Sequence, residues 1–225
     1  MKFLGLIPAR AGTKGVKNKN TVLIKNKKLI EYTFDAGIKS KLLKKIIVST
    51  NCKKVMNLKK KYKNIKFLQR SEYLSRDNSS IFDVIKDTIK REKKENNYYD
   101  YVVLLQPTTP LKNYKIIDRG IRKITKEKGN SLISVYQVDD NHPARMYNIK
   151  SKILKPIFRN EQYKNRQKLE KIYHRDGNLY IFHTSNFDKN KKNYFGNKII
   201  PLVLSRDYKL NIDNYIDLKI AKILL

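Results

Sequence analysis

The chain has 225 residues, a mass of 26.6 kDa and a formal net charge of +31, with 40% hydrophobic and 10% aromatic side chains. That content supports a packed core and excludes wholesale disorder. No apolar run approaches the ~20 residues of a membrane span, and the apolar stretch of the opening MKFLGLIPAR is too short for a secretory signal, so a cytoplasmic protein without a membrane partner is expected. The single cysteine, Cys52, excludes an internal disulfide and a cysteine-based metal site. His142, His174 and His183 are too scattered for a zinc motif.

A charge of this size first points to nucleic acid. The excess is nearly all lysine, however: 40 lysines stand beside eleven arginines, and Lys, Asn, Ile and Tyr make up 103 residues. Those four share A/T-rich codons, and the lysines run from Lys2 to Lys222 rather than along one tail. A nucleic-acid binder more often concentrates arginine and aromatics on one face. Nucleic acid is therefore not the expected partner, and the positive potential instead favours anionic substrates.

In chain order, Phe3 to Ile7 reads as a buried strand ending at Pro8, and residues 8–20 as a loop. Leu29, Ile30, Thr33, Phe34 and Ile38 recur at helical spacing. Ile46 to Val48 is a second strand, closed by Ser49-Thr50-Asn51 as a helix-capping cluster, and Val55, Met56 and Leu58 lie on the helix after it. Ile65 to Leu68 is a third strand. Ile81, Val84, Ile85, Thr88 and Ile89 mark a helix with a polar start at Asp77 to Ser80. Tyr101 to Leu105 is a fourth strand, Ile116 to Ile124 the next helix, and Leu132 to Val138 the next strand. From about 139 to 175 the chain turns polar and irregular. Leu179 to Phe182 and Ile199 to Leu204 return to strand character, and Ile212 to Leu225 closes with an amphipathic helix carrying Ile216, Ile220 and Ile223. The alternation predicts an α/β fold of parallel strands covered on both faces, with 1–225 as one domain and 139–175 as an insertion.

Two segments carry chemistry. Pro8-Ala9-Arg10-Ala11-Gly12-Thr13-Lys14-Gly15 follows the first strand, and in an open α/β sheet ligands sit at the carboxyl ends of strands. Glycines such as Gly12 let backbone N–H groups approach an anion, Arg10 and Lys14 supply charge, and Thr13 adds a hydroxyl donor. The residues alone fit a solvated Lys/Asn loop equally well, and the GxxxxGK[ST] spacing is absent. The second segment, Leu104-Leu105-Gln106-Pro107-Thr108-Thr109-Pro110-Leu111-Lys112, places Gln106 at a strand end between prolines. It suits either recognition of a base or sugar edge or a plain rigid turn.

The first loop resembles the IPARxGSKGxxxKN signature of the acylneuraminate cytidylyltransferases, and the second resembles that family's LLQPTSPLR. Asn165-Arg166-Gln167, Tyr173 to Tyr180 and Asn211-Ile212-Asp213 through Asp217-Leu218 resemble its RRQ, YRxNGxxY and DIDxxxDL elements. The resemblance spans essentially the whole chain in order. It implies a Rossmann-like nucleotidyltransferase sheet with helices on both faces and a small dimerisation insertion, which matches the break at 139–175. It also implies CTP and a nine-carbon 2-keto sugar acid as substrates, a CMP-sugar and pyrophosphate as products, Mg2+ as cofactor and a homodimer. By the same resemblance Arg10, Gly12, Thr13, Lys14, Lys19, Asn20, Arg70 and Ser80 bind the nucleotide. Gln106, Arg166 and Gln167 meet the sugar acid, and Asp213 with Asn211 holds the metal.

The reaction is an in-line displacement by the anomeric hydroxyl at the α-phosphorus, so the task is positioning and charge neutralisation. Arg10 and Lys14 are expected to stabilise the leaving pyrophosphate, Asp213 to hold the cation, and Arg166 to receive the sugar carboxylate. The general base stays open between Asp213 and a metal-bound water; the structural alternative for Asp213 is a cap on the last helix. Three positions depart from the pattern: Asn211 for an aspartate, Lys112 for an arginine, and His174 and Asp176 where sialic acid enzymes carry Arg and Asn. These leave the sugar acid open. The alternatives are a nucleotidyltransferase of this fold acting on another sugar acid or nucleotide, and a basic nucleic-acid-binding protein. Kdo-loading relatives end the first loop more like PGKPL, whereas this chain has Lys17-Asn18-Lys19-Asn20.

Overall fold

The computed structural model describes residues 1–12, 15–158, 163–188 and 193–225, and for Arg166 the backbone alone. Its centre is a seven-stranded sheet. The strands are β1 (Phe3–Ala9), β4 (Leu43–Thr50), β5 (Lys66–Gln69), β6 (Tyr101–Leu104), β7 (Ser131–Gln137), β10 (Tyr173–His183) and β11 (Ile199–Val203). They lie in the order β11-β7-β10-β6-β1-β4-β5. Two small antiparallel hairpins stand apart, β2 (Leu23–Ile24) with β3 (Lys27–Lys28) and β8 (Tyr147–Lys150) with β9 (Ile153–Pro156). The helices are α1 (Leu29–Lys39), α2 (Lys53–Met56), α3 (Ile81–Lys94), α4 (Tyr114–Glu127) and α5 (Tyr215–Leu224).

Alternation along the central strands divides the core. Phe3 and Ile7 of β1 and Val103 of β6 pack with Phe34 of α1 and Ile117 and Ile121 of α4. Leu4 and Leu6 of β1 and Val102 and Leu104 of β6 face the other way, onto Ile85 of α3 and Phe182. Both faces of these strands are covered, so they read as continuous apolar runs. A third cluster joins Val16, Ile24 and Leu29 to Leu210, Ile212, Leu218 and Ala221. It binds the segment after the first loop to the end of the chain.

The structure amends the sequence reading in four places. β1 extends through Pro8, which pairs with Ser49. Strand β10 begins at Tyr173 and runs antiparallel to both β6 and β7. A parallel neighbour needs a crossover of a dozen or more residues, usually helical; the 138–172 connection holds the β8–β9 hairpin instead, so the chain returns antiparallel. The capping cluster at 49–51 does not cap: α2 starts after Cys52 with no side-chain cap bond. In α5 the face that packs inward carries Leu218 and Ala221, while Ile216, Ile220 and Ile223 are exposed.

Register sets the site. Ala9 pairs with Thr50, Thr50 with Gln69, and Leu6 with Leu104, so β1, β4, β5 and β6 end together. Because β10 is antiparallel, its beginning, Tyr173 to Arg175, lies beside the end of β7. One edge of the sheet therefore collects the first loop, the Gln106 turn and residues 173–177.

Candidate active site

The first loop is braced by the residues read as a helix cap. The amide of Ala11 donates to Asn51 Oδ1 at 2.7 Å, and Asn20 Nδ2 donates to the Arg10 carbonyl at 3.1 Å. Thr50 Oγ1 donates to the Ala9 carbonyl and accepts from the Cys52 amide. Arg70 is buried and reaches back to Ser49, with Nε at 3.1 Å from Oγ and Nη2 at 2.7 Å from the carbonyl. Burial, reinforced by the like charge of Arg10, holds the Arg70 guanidinium down at about 10. Arg10 itself is held by Asp77, with Nη1 to Oδ1 at 2.6 Å. The two cations thus share one end of the site, as an anion-binding arrangement requires.

Gly12 sits at φ +73°, a left-handed conformation that glycine adopts without strain. Gly15 makes the closest approach in the site: a Cβ there would lie 1.9 Å from the Asp213 carbonyl oxygen. Lys19 completes the join. Its buried ammonium donates to the Ile212 carbonyl at 2.7 Å and to Asp213 Oδ1 at 2.9 Å. The loop at one end of the sequence and the Asn211–Asp213 segment at the other are one structural unit. Thr13, Lys14 and the side chain of Arg166 lie outside the described residues.

Asp213 does not cap the last helix. That role falls to Asn214, whose Oδ1 accepts from the amides of Ile216 and Asp217 at 2.8 and 3.0 Å, while Asp217 Oδ2 accepts from the Asn214 amide. The carboxylate of Asp213 is left facing Lys19 and Asn211, whose Nδ2 stands 2.6 Å from Oδ2. Among the described residues no group of three or more His, Cys, Asp or Glu side chains gathers for a metal. The donor set is one exposed carboxylate and one amide. It fits a hard cation such as magnesium, which is commonly held by one or two carboxylates with substrate phosphates supplying the rest.

Beside Asp213 opens a cleft of about 880 Å³ whose walls include Gln106, Tyr136, Tyr180, Arg175 and Lys209. It joins the Gln106 turn, the start of β10 and the Asn211–Asp213 segment, and it is lined by both charges, Arg175 and Lys209 with Asp176, Asp213 and Asp217. Below it, the Gln106 turn rests on Lys112, which is 3% exposed and donates to the Gln106 carbonyl at 2.8 Å and to Thr109 Oγ1 at 2.9 Å.

Gln167 lies away from the cleft and lines a separate hollow with Gln137, His142 and Glu170. Ser80 caps α3, its Oγ accepting from the Phe82 amide at 3.2 Å, three residues after the Asp77 that holds Arg10. Sequence reasoning missed Asn51, Asp77, Tyr136 and Lys209, which are single polar or aromatic residues without local spacing to mark them.

Comparison with known proteins places the chain in a family. Residues 4–223 match the family described as Cytidylyltransferase. A CMP-N,N'-diacetyllegionaminic acid synthase from Legionella pneumophila is 31% identical over 96% of this chain and 93% of that protein. An N-acylneuraminate cytidylyltransferase from Escherichia coli O18:K1:H7 is 29% identical over 98% of this chain, which spans 51% of that relative's length. A pseudaminic acid cytidylyltransferase from Campylobacter jejuni is 29% identical over 100% of this chain and 96% of that one. Among solved structures, a CMP:2-keto-3-deoxy-manno-octonic acid synthetase complexed with CTP superposes with a TM-score of 0.72 at 13% identity, over 100% of this chain and 98% of that one, a likeness of fold. The chain belongs to the cytidylyltransferase family.

Proposed function

We propose that the chain transfers the cytidylyl group of CTP to a nonulosonic acid, a nine-carbon 2-keto sugar acid, with release of pyrophosphate. The observation that carries this reading is the contact of Gly15 and Lys19 with Asp213, which sets a cationic loop against an acid at the mouth of a sugar-sized cleft. Relatives named for legionaminic, pseudaminic and N-acylneuraminic acids support the substrate class.

Arg10 and Arg70 attract and orient the triphosphate, and Lys14, on the same stretch of sequence as Arg10, is the third cation of this reading. Charge placed before the reaction stabilises the leaving pyrophosphate without reorganisation. Gln106 offers both a donor and an acceptor to the sugar, and Arg175 and Lys209 meet its carboxylate. Arg166 and Gln167 enter this reading as sugar contacts by resemblance alone; Gln167 lines the separate hollow beside Gln137 and His142. Asp213, with Asn211, would hold a magnesium ion, which when bound neutralises phosphate charge and orients the α-phosphoryl group.

The reading extends to a cytoplasmic homodimer. The β8–β9 hairpin presents Tyr147, Ile149, Ile153 and Leu154 on its surface, with Ile157 and Phe158 beyond it, all exposed. Contiguous apolar side chains of this kind mark an association surface. The test is pyrophosphate release across the four nucleoside triphosphates with a panel of nonulosonic acids. Release requiring CTP and one of these acids together supports the reading; release with no dependence on the sugar acid overturns it.

A further inference from the structure

Lys112 stands where the family pattern has arginine, and its surroundings are unusual. It is fully enclosed, yet among the described residues no carboxylate lies within hydrogen-bond reach. Its three acceptors are the Gln106 carbonyl at 2.8 Å, Thr109 Oγ1 at 2.9 Å and the Thr109 carbonyl at 3.5 Å. Thr109 Oγ1 also reaches the Gln106 carbonyl at 3.2 Å and the Gly177 carbonyl at 3.4 Å. The ammonium therefore closes the Gln106 turn on itself, and Thr109, which it holds, carries the turn to Gly177 of β10. The side-chain amide of Gln106 lies close over Gly177, where an added Cβ would stand 3.1 Å from Oε1.

The charge that faces Lys112 is Asp176, on β10 at the wall of the same cleft. Asp176 Oδ1 accepts from the Asn178 amide at 2.8 Å and from Ser134 Oγ, while Oδ2 is buried with no donor among the described residues. Tyr180 on that strand lies in the opposing fields of Asp176 and Arg175. A buried ammonium and a buried carboxylate that do not touch are each costly alone, and each lowers the cost of the other.

We propose that Lys112, balanced by Asp176, is a positioning residue for the sugar acid: it fixes the Gln106 turn from beneath the cleft and so sets sugar binding without touching CTP. The inference rests on the proposed function, because it takes the cleft to be the sugar-acid site. Burial pushes the Lys112 ammonium down to about 7, against the opposing pull of Asp176. The turn therefore loses its cation as pH rises through the neutral range. An arginine, which stays charged, would not lose it.

The experiment measures KM for the sugar acid and for CTP, with kcat, from pH 6 to 9 (roughly one unit below and two above the Lys112 transition) in the wild-type enzyme, Lys112→Met and Lys112→Arg. Losing hydrogen bonds from a charged donor is expected to raise sugar KM about tenfold or more in Lys112→Met while CTP KM stays within about twofold. The wild type should bind sugar less well above neutral pH, and Lys112→Arg should abolish that limb. A folded Lys112→Met with unchanged sugar KM overturns the proposal, as does a parallel rise in both KM values. Should Lys112→Met not fold, the arginine variant decides: a pH profile identical to wild type overturns the proposal, and a flattened one supports it. A wild-type enzyme with no turnover of CTP and any nonulosonic acid refutes the proposed function itself, a result distinct from active wild type with indifferent variants.

Discussion

Replacing Gly15 with alanine adds one methyl group and no charge, yet it strikes the join on which the site depends. The new Cβ would begin 1.9 Å from the Asp213 carbonyl oxygen, and real Cβ atoms keep at least 3.0 Å, so the loop or the 211–214 segment must retreat by about 1.1 Å. The clash is with backbone, which cannot swing aside as a side chain can. Both partners of the Lys19–Asp213 contact, now 2.9 Å, ride on the segments that must part. A displacement of about 1 Å in a positioned group costs on the order of 100-fold in rate, or roughly 2.7 kcal/mol of transition-state stabilisation. Gly12→Ala is the matched comparison. Its Cβ would meet nothing within 4 Å, so its cost is conformational, from φ +73°, and about 1–2 kcal/mol of stability. Pyrophosphate release, read as kcat/KM for CTP alongside thermal unfolding, separates the two. Gly15→Ala should lose activity far beyond its loss of stability, whereas Gly12→Ala should lose stability together with CTP affinity, because Gly12 sits on the loop that receives the nucleotide. A folded Gly15→Ala enzyme with kcat/KM within about twofold of wild type would show that the loop and Asp213 need not be held together, and the proposed site would fall.

Asn51→Ala removes the acceptor for the Ala11 amide and should cost about 1–3 kcal/mol, measured by urea unfolding, with a larger loss in kcat/KM than a surface Asn→Ala change gives. Asp213→Ala should abolish most activity and, although Asn214 keeps the helix cap, cost about 1–3 kcal/mol by taking the acid partner from buried Lys19; Asn214→Ala should lose about 0.5–2 kcal/mol in thermal unfolding while keeping that contact and most activity. Lys112 also makes stability depend on pH. Its folded value, about 7, lies below the ordinary 10.5, so between them the unfolded chain binds more protons and stability rises with pH. The melting temperature should therefore climb from neutral pH toward pH 9.5, and the slope should flatten in Lys112→Met. Paired charges on the hairpin, Ile149→Asp with Leu154→Asp, should convert a dimer to monomer by light scattering while leaving each protomer folded.

The strands and long helices were legible because their apolar residues keep a clean period. Tyr101–Leu105 and the 116–124 helix are examples, since both are buried on faces their spacing already marks. The two motif loops were legible because proline and glycine punctuate them beside a strand end. What the sequence hid was relational. Ser49, Thr50 and Asn51 look like a helix cap, and only the register of β4 against β1 turns them toward the loop instead. In α5 the isoleucines make the stronger hydrophobic pattern, yet the chain packs Leu218 and Ala221 inward because the adjoining cluster of Val16, Ile24 and Leu210 meets that face. The antiparallel direction of β10 depends on the shape of the 138–172 connection, which carries no periodic signal. In the sequence Lys112 is only a departure from an arginine; its burial and its hold on Gln106 are visible only with the turn in three dimensions.

The central claim is that one cleft joins CTP to a sugar acid through the loop that meets Asp213. It is tested most directly by incubating the protein with CTP, magnesium and a nonulosonic acid and analysing the products by mass spectrometry. The account predicts a CMP-sugar and an equal amount of pyrophosphate, both lost in Arg10→Ala. Consumption of CTP to CMP without the sugar conjugate, or a conjugate formed equally well by Arg10→Ala, would contradict it.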